Sequence, residues 1–313
     1  MIYRKLGGMA LKVSGMGLGT VELGCDYGLR SASVSQRPSR RQAMQLLHRA
    51  LDLGVTFIDT AHDYGEAESL IGEAVAAENN VVLATKSERI FEITPTLRGT
   101  ALTARILCSA ENSLHRLRRD TIDLFQLHNP PAEAVSRDDV LRALDDLTQR
   151  GLVRYAGVAG YGEEVALAAI RCGRYQSIQV AYNLLDQRMA RKVIPQAYAA
   201  GMAVIARSVL LKGVLTPKRA YLPEQLSRLS EKGSACEAFA ASLGLSQVHA
   251  AIRFVLSDER ISTALVGTAN LSHLEEAVTV SDGNRFSESE LARARALEIG
   301  DDLLLDPRAW QVS

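Results

Sequence analysis

Short apolar runs alternate along the chain with longer stretches whose apolar residues recur at three- and four-residue spacing. The runs Met16–Thr20, Val55–Asp59, Val81–Thr85, Ile122–Leu127, Val153–Val158, Ser177–Val180, Ala203–Ala206 and Thr263–Val266 are the predicted strands. Several are apolar throughout, as expected of parallel strands covered on both faces. Between them, Ala43–Leu53, Leu102–Leu117 and Val140–Gln149 carry the period of amphipathic helices. Gly54, Gly151, Gly173 and Gly201 stand just past predicted helix ends, where a left-handed turn is needed.

Strands alternating with helices imply a parallel sheet. Eight such units in about 280 residues fit a closed (β/α)8 TIM barrel. An open doubly wound sheet is the alternative, for which eight units are many. Arg4–Leu6 and Lys12–Ser14 flank Gly7-Gly8 and predict a β-hairpin capping one barrel end. No Pro/Gly/Ser-rich linker divides the chain, so residues 1–313 are expected to form a single domain. Two long connections follow strands three and seven, Ser87–Gly99 and Val209–Gly233. Loops of that kind on the C-terminal face of a barrel carry binding function. The tail Asp306–Ser313 holds Trp310, and folding over the mouth or fraying are both open to it.

Composition narrows the function classes. Hydrophobic residues are 47% and charged residues 23% of 313, a globular balance. A chain this long buries roughly three quarters of its unfolded surface and needs no disulfide or metal to hold a core. Lys plus Arg equals Asp plus Glu at 36 each, so the basic surplus typical of nucleic-acid binding is missing. The basic run His115–Arg119 falls at a predicted helix end, where positive charge complements the dipole. No apolar run reaches the ~20 residues of a membrane span, and the N-terminus lacks a signal-peptide core. Cys25, Cys108, Cys172 and Cys236 are far apart and predict neither a disulfide framework nor a zinc site. These features point to a cytoplasmic protein without a metal, a membrane partner or a nucleic-acid partner.

Residues at the C-terminal ends of barrel strands converge on one mouth. Strand two ends at Asp59, with Tyr64 in the following loop. Strand three ends in Ala84-Thr85-Lys86 and strand four in Gln126-Leu127-His128. A buried Lys86 needs a counter-charge, which Asp59 supplies. A cation beside Tyr64 is expected to lower the phenol from its usual value near 10. Such a phenol can exchange a proton with a carbonyl oxygen, and His128 can hydrogen-bond the same oxygen. This set supplies no hydride and so needs a redox cofactor. On pattern alone, a structural lysine and a satisfied core histidine remain open. His62 and Asp63 in the same loop, and Cys25 and Tyr27 after strand one, are further pocket candidates.

The run Gly54-Val-Thr-Phe-Ile-Asp59-Thr-Ala-His-Asp-Tyr64-Gly-Glu-Ala-Glu68 resembles a signature of the aldo-keto reductase family. So do Ala84-Thr-Lys86, Asp123-Leu-Phe-Gln-Leu-His128, Gln179-Val-Ala-Tyr-Asn183 and Ala206-Arg-Ser-Val-Leu-Leu-Lys-Gly213. The likeness runs from about Tyr3 to Val278 in the family's order. It implies a (β/α)8 barrel and NAD(P)(H)-dependent interconversion of a carbonyl and its alcohol. The family's catalytic tetrad falls on Asp59, Tyr64, Lys86 and His128. Its coenzyme contacts fall on Gln179 for the nicotinamide carboxamide, and on Ser208, Leu210, Lys212 and Gly213 for the phosphates. For the adenosine they fall on the segment of Gly267, Thr268, His273 and Glu276. A finer likeness, in Leu23–Gly28, Gln36–Ser39 and Asn183–Arg188, resembles a bacterial branch associated with sugar or polysaccharide pathways.

Three departures stand against the resemblance. The usual Gly-Val-Ser-Asn after strand five is Gly157-Val158-Ala159-Gly160 here. The position of an aromatic residue that stacks on nicotinamide is Arg207. Three readings of Arg207 are open: stacking on the ring, pairing with an anionic substrate group, or facing a carboxylate of the protein. The adenosine segment Gly267–Glu276 carries no Lys or Arg, so NADP(H) is favoured only by the family and NAD(H) stays open. The expected function is reduction of an aldehyde or ketone, with Tyr64 as proton donor. A coenzyme-binding regulatory subunit with little turnover is the alternative.

Overall fold

A computed structural model describes residues 1–29, 37–76, 78 and 80–310. Among the described residues there are ten strands: β1 (Tyr3–Lys5), β2 (Lys12–Ser14), β3 (Met16–Gly19), β4 (Phe57–Asp59), β5 (Val82–Lys86), β6 (Ile122–His128), β7 (Val153–Ala159), β8 (Ser177–Ala181), β9 (Ala203–Arg207) and β10 (Ile261–Gly267). Strands β3 to β10 close into a parallel barrel in sequence order, with β10 pairing β3. Helices alternate with the strands. The expected (β/α)8 barrel is the fold, and the open-sheet alternative is excluded by closure.

β1 and β2 form the expected antiparallel hairpin. Its apolar residues Leu6, Met9 and Val13 join Phe57, Val82, Leu124, Ala203 and Leu265 in one buried cluster. The hairpin therefore stoppers the N-terminal end of the barrel and leaves the opposite end for chemistry. Gly7 is required there: it sits at φ +57°, and a Cβ would lie 2.4 Å from the Ala203 nitrogen. Inside the barrel, a Cβ on Gly17 would press on Phe57 and Leu265 at 2.9 and 3.0 Å. The Gly15–Gly19 run thus serves close packing and a tight strand exit.

Strand register decides which side chains meet. Asp59 lies beside Ala84, Lys86 beside Gln126, and His128 beside Ala159, which lies beside Gln179. The connection after β5 holds a short helix, Ile90–Ile93. The one after β9 holds three 3-10 turns before the helix Ser227–Ala241 begins. The tail is settled through Trp310. That ring is buried and its Nε1 donates to the Leu304 carbonyl at 3.1 Å, while Pro307 and Arg308 line the barrel mouth. As far as residue 310 the tail folds over the mouth. Gln36 and residues 311–313 lie outside the described residues. No helix among the described residues is long and apolar enough to cross a membrane.

Candidate active site

The C-terminal mouth opens into a cavity of about 1080 Å3, at the upper end of the range for small-molecule sites. Asp59, Tyr64, Lys86 and His128 line it together with Gln179, Arg207, Ser208, Leu210, Lys212, Gly213, Gly267, Thr268, His273 and Glu276. These positions, expected from the motifs, therefore reach one space, as do Cys25 and Tyr27, whereas His62 and Asp63 do not line it.

Lys86 is the centre of charge. Its Nζ lies 2.6 Å from Asp59 Oδ2 and donates to the Thr60 carbonyl at 2.8 Å. Both side chains are nearly inaccessible, at 2% and 5%. Burial lowers the lysine from its ordinary value and Asp59 opposes that shift. The other carboxylate oxygen of Asp59 accepts from Gln179 Nε2 at 2.7 Å and Gln126 Nε2 at 3.2 Å. A carboxylate so bonded offsets its own desolvation. Gln126 was not legible as part of this cluster, because its approach to Asp59 spans non-neighbouring strands.

Tyr64 stands over this pair, its ring centroid 5.1 Å from Lys86 Nζ and 6.1 Å from the His128 ring. The expected lowering of the phenol is reversed. Burial pushes Tyr64 above its ordinary value, the Asp59 charge adds to this, and Arg207 only partly opposes it. The loop holding Tyr64 is fixed by close backbone approach. A Cβ on Gly24 would sit 1.9 Å from the Tyr64 carbonyl oxygen, and one on Gly65 2.4 Å from the Gly24 carbonyl oxygen.

His128 is held by its own backbone, whose N–H donates to Ser87 Oγ at 3.2 Å. Its buried Nδ1 has no hydrogen-bond partner, and Asp63 Oδ2 lies 3.6 Å away. Burial lowers the imidazole while Asp63 raises it and Lys86 and Arg89 lower it further. Asp63 is in turn bonded by His62 Nδ1 at 3.2 Å and the Arg89 N–H at 2.8 Å. Burial alone would raise this carboxyl, but its contacts with His128, His62 and Arg89 hold it well below the carboxylate range. The pocket role expected of Asp63 is therefore indirect, through the two histidines.

Glu68, quoted above only as part of a motif, has a structural task. It is 1% exposed, accepts from Thr85 Oγ1 at 2.6 Å and pairs with Arg116 Nε at 2.7 Å. The basic run at 115–119 is thus partly an internal counter-charge. Helix Gly99–Leu117 ends there, with Arg118 in the left-handed region.

The remaining wall has the shape and donors for an extended phosphorylated ligand. Ser208, Leu211 and Lys212 hold positive φ angles of 56°, 44° and 55°, strain that collects at functional sites. Asn183 fastens this loop, with Nδ2 donating to the Ser208 carbonyl at 2.9 Å. The Leu29 N–H donates to the Lys212 carbonyl at 3.1 Å, strapping the loop after β3 across the cavity. Thr268 precedes the helix Leu271–Thr279, whose cap Asn270 accepts from the Ser272 N–H at 2.9 Å. Glu276 accepts from Ser246 Oγ at 2.9 Å. Gln179 uses its amide nitrogen on Asp59 and, at 3.3 Å, on Gln126 Oε1, so its carbonyl oxygen is what it offers the cavity. The loss of the Ser-Asn pair is built in: a Cβ at Gly160 would meet Val165 Cγ1 at 2.7 Å. These residues stand where the family resemblance places the coenzyme contacts.

Arg207 forms no ion pair among the described residues, although its charge reaches Asp306 and helps lower that carboxyl. Its Nη2 donates to the Gly160 carbonyl at 3.0 Å and its Nη1 to Ser208 Oγ at 3.2 Å. The guanidinium lies 4.1 Å from the centroid of Tyr161. No ion pair among the described residues supports the third of its three readings. Tyr161 carried no sequence signal, because nothing in its motif marks a loop residue turned into the mouth.

Comparisons with known proteins agree with this geometry. The model of the aldo/keto reductase family matches residues 15–299. L-glyceraldehyde 3-phosphate reductase of Escherichia coli K12 is 26% identical over 328 residues, covering 94% of this chain and 91% of that protein. L-galactose dehydrogenase of Arabidopsis thaliana is 27% identical over 314 residues, covering 94% and 93%. Among solved structures, the holo form of aldo-keto reductase AKR11C1 from Bacillus halodurans superposes with a TM-score of 0.79 at 24% identity, covering 95% and 96%.

Proposed function

The chain belongs to the aldo/keto reductase family, and from that we propose that it is an NAD(P)(H)-dependent oxidoreductase reducing an aldehyde or ketone to its alcohol. The observation that carries the reading is the convergence of Asp59, Lys86, Tyr64 and His128 at one cavity end, with the Lys86–Asp59 pair closed at 2.6 Å. A bound nicotinamide coenzyme supplies the hydride. Burial keeps Tyr64 protonated at neutral pH, the state a proton donor needs. As negative charge develops on the carbonyl oxygen, the Tyr64 hydroxyl gives up its proton to it. Lys86 stabilises the phenolate left behind, and His128 orients the oxygen.

Gln179, Ser208, Leu210, Lys212 and Gly213 are proposed to hold the nicotinamide and phosphate portion. Gly267, Thr268, His273 and Glu276 are proposed for the adenosine. NADPH is the favoured coenzyme and NADH the competitor. Lys212 and Lys218 bring to the cavity wall the positive charge that the adenosine segment lacks. Relatives named for L-glyceraldehyde 3-phosphate and L-galactose support a small, polar, sugar-derived carbonyl. The regulatory-subunit alternative has no observation in its favour, since the four catalytic side chains are assembled.

Fluorescence titration with NADPH and NADH, followed by turnover of Tyr64→Phe, tests the reading. Tight binding of one coenzyme is expected, with the variant retaining it and losing reduction by about 100- to 10,000-fold. Undiminished turnover in Tyr64→Phe would remove Tyr64 from the donor role. Binding of neither coenzyme would remove the reductase reading.

A further inference from the structure

Resting on the reductase reading, we propose that Arg207 anchors an anionic group of the substrate, so that the preferred carbonyl compounds carry a carboxylate or a phosphate. Arg207 ends β9 and lines the same cavity as Tyr64, Lys86 and His128. It is half-buried, and its partners are the Gly160 carbonyl, the Ser208 hydroxyl and the Tyr161 ring. It forms no ion pair among the described residues.

Its neighbours at the mouth are otherwise balanced. Lys86 is matched by Asp59, and Arg308 is bonded through Nη2 to Asp306 Oδ2 at 2.6 Å. Arg89 lies 4.0 Å from Asp63 and 3.9 Å from Glu92. Arg207 differs from these neighbours in having no ion pair among the described residues, and shares only the longer-range field of Asp306 with Arg308. Tyr161 is packed between two guanidiniums, Arg207 at 4.1 Å and Arg308 at 3.8 Å from its centroid. This stack fixes the plane of Arg207, and two hydrogen bonds fix its rotation. A guanidinium so held loses little entropy on accepting a ligand and offers its remaining donors as a pre-organised fork. Carboxylate and phosphate are the groups that match such a fork.

Two matched substrate pairs distinguish the anion sources: 4-carboxybenzaldehyde against benzaldehyde, and glyceraldehyde 3-phosphate against glyceraldehyde. The readout is the anionic-to-neutral ratio of kcat/KM, with NADPH affinity followed separately by fluorescence. The wild type is expected to favour the anionic member of at least one pair. Arg207→Met is expected to lower that ratio by about 10- to 100-fold, and Arg207→Lys, which keeps the charge but not the fork, by less. In the wild type, added salt should raise KM for the anionic member alone, a measurement that needs no variant. The pair that responds identifies the group. Equal or better use of both neutral aldehydes by the wild type would overturn the proposal. So would a ratio that Arg207→Met leaves unchanged. Failure to reduce any of the four would instead refute the reductase reading, and the proposal with it.

Discussion

Replacing Asp59 by Asn keeps the shape of the site and removes one charge from its centre. At an effective dielectric of about 20, opposite charges 2.6 Å apart attract by about 6 kcal/mol. Several kcal/mol of desolvation per ion offset most of that in the intact pair. The variant keeps the desolvation of Lys86 and loses the attraction. The new amide also turns its oxygen toward Gln126 and Gln179, the two donors now on Asp59, and so presents its nitrogen to the ammonium. An unpaired buried charge of this kind costs about 3–5 kcal/mol. The loss depends on pH. Lys86 already sits below its ordinary value of 10.5, and without Asp59 it falls further. Between that folded value and 10.5 the unfolded chain binds the extra proton, so stability rises with pH across this window. Thermal unfolding of wild type and Asp59→Asn at several pH values is the assay. The deficit should be about 3–5 kcal/mol at pH 7 and shrink as pH rises toward about 10. The double variant with Lys86→Met should recover much of it. A deficit under about 1 kcal/mol at pH 7, or one constant across the range, would refute the buried-pair account.

Gly24→Ala places a methyl 1.9 Å from the Tyr64 carbonyl oxygen. It should cost about 1–3 kcal/mol and at least tenfold in kcat, read by melting and by steady-state rates; unchanged values would show that the loop yields freely. Arg116→Met strips the counter-charge from Glu68, which is 1% exposed, and should destabilise by about 3 kcal/mol in denaturant titration. A neutral result would mean that Thr85 alone satisfies the carboxylate. Burial lowers His128 from its ordinary value of 6.5, so below that pH the unfolded chain binds a proton the folded one resists. Wild-type stability should therefore fall more steeply than that of His128→Gln between about pH 7 and 5; parallel unfolding profiles would contradict it.

Fold and site were legible to different depths for one physical reason: periodicity reports burial, and burial is what a barrel strand needs. Each predicted barrel strand overlaps an observed one. The errors are at the ends. Val55 and Thr56 precede β4, while Lys86, His128 and Arg207 extend β5, β6 and β9 beyond their apolar runs. Those polar extensions are the site itself, because a strand end at the mouth keeps its ladder bonds while its side chain meets the cavity. The tetrad could be placed because its residues stand at such ends or in the next loop. Gln126 bonding to Asp59, or Arg308 reaching Tyr161 from the tail, depends on side chains crossing between distant segments. No local pattern encodes that. The phenol's raised pKa departs from the expectation for a related reason: the sequence shows a neighbouring cation but not how completely burial outweighs it.

The site divides its tasks between rigid and variable parts of the barrel. The charges that must survive desolvation, Asp59 and Lys86, sit on strands whose register is fixed by backbone ladders. Tyr64 sits on a loop, but one clamped by glycine contacts that admit no Cβ. Tyr161 and Arg308 come from a loop after β7 and from the tail, and they meet at Arg207 on the end of β9. Substitution at Tyr161 or Arg308 can therefore reshape the wall opposite the tetrad without touching the Asp59–Lys86–Gln179 network. The wall opposite Asp59 and Lys86 is thus built by segments separate from the strands that hold that pair, and Arg207, without an ion pair among the described residues, stands where the two meet.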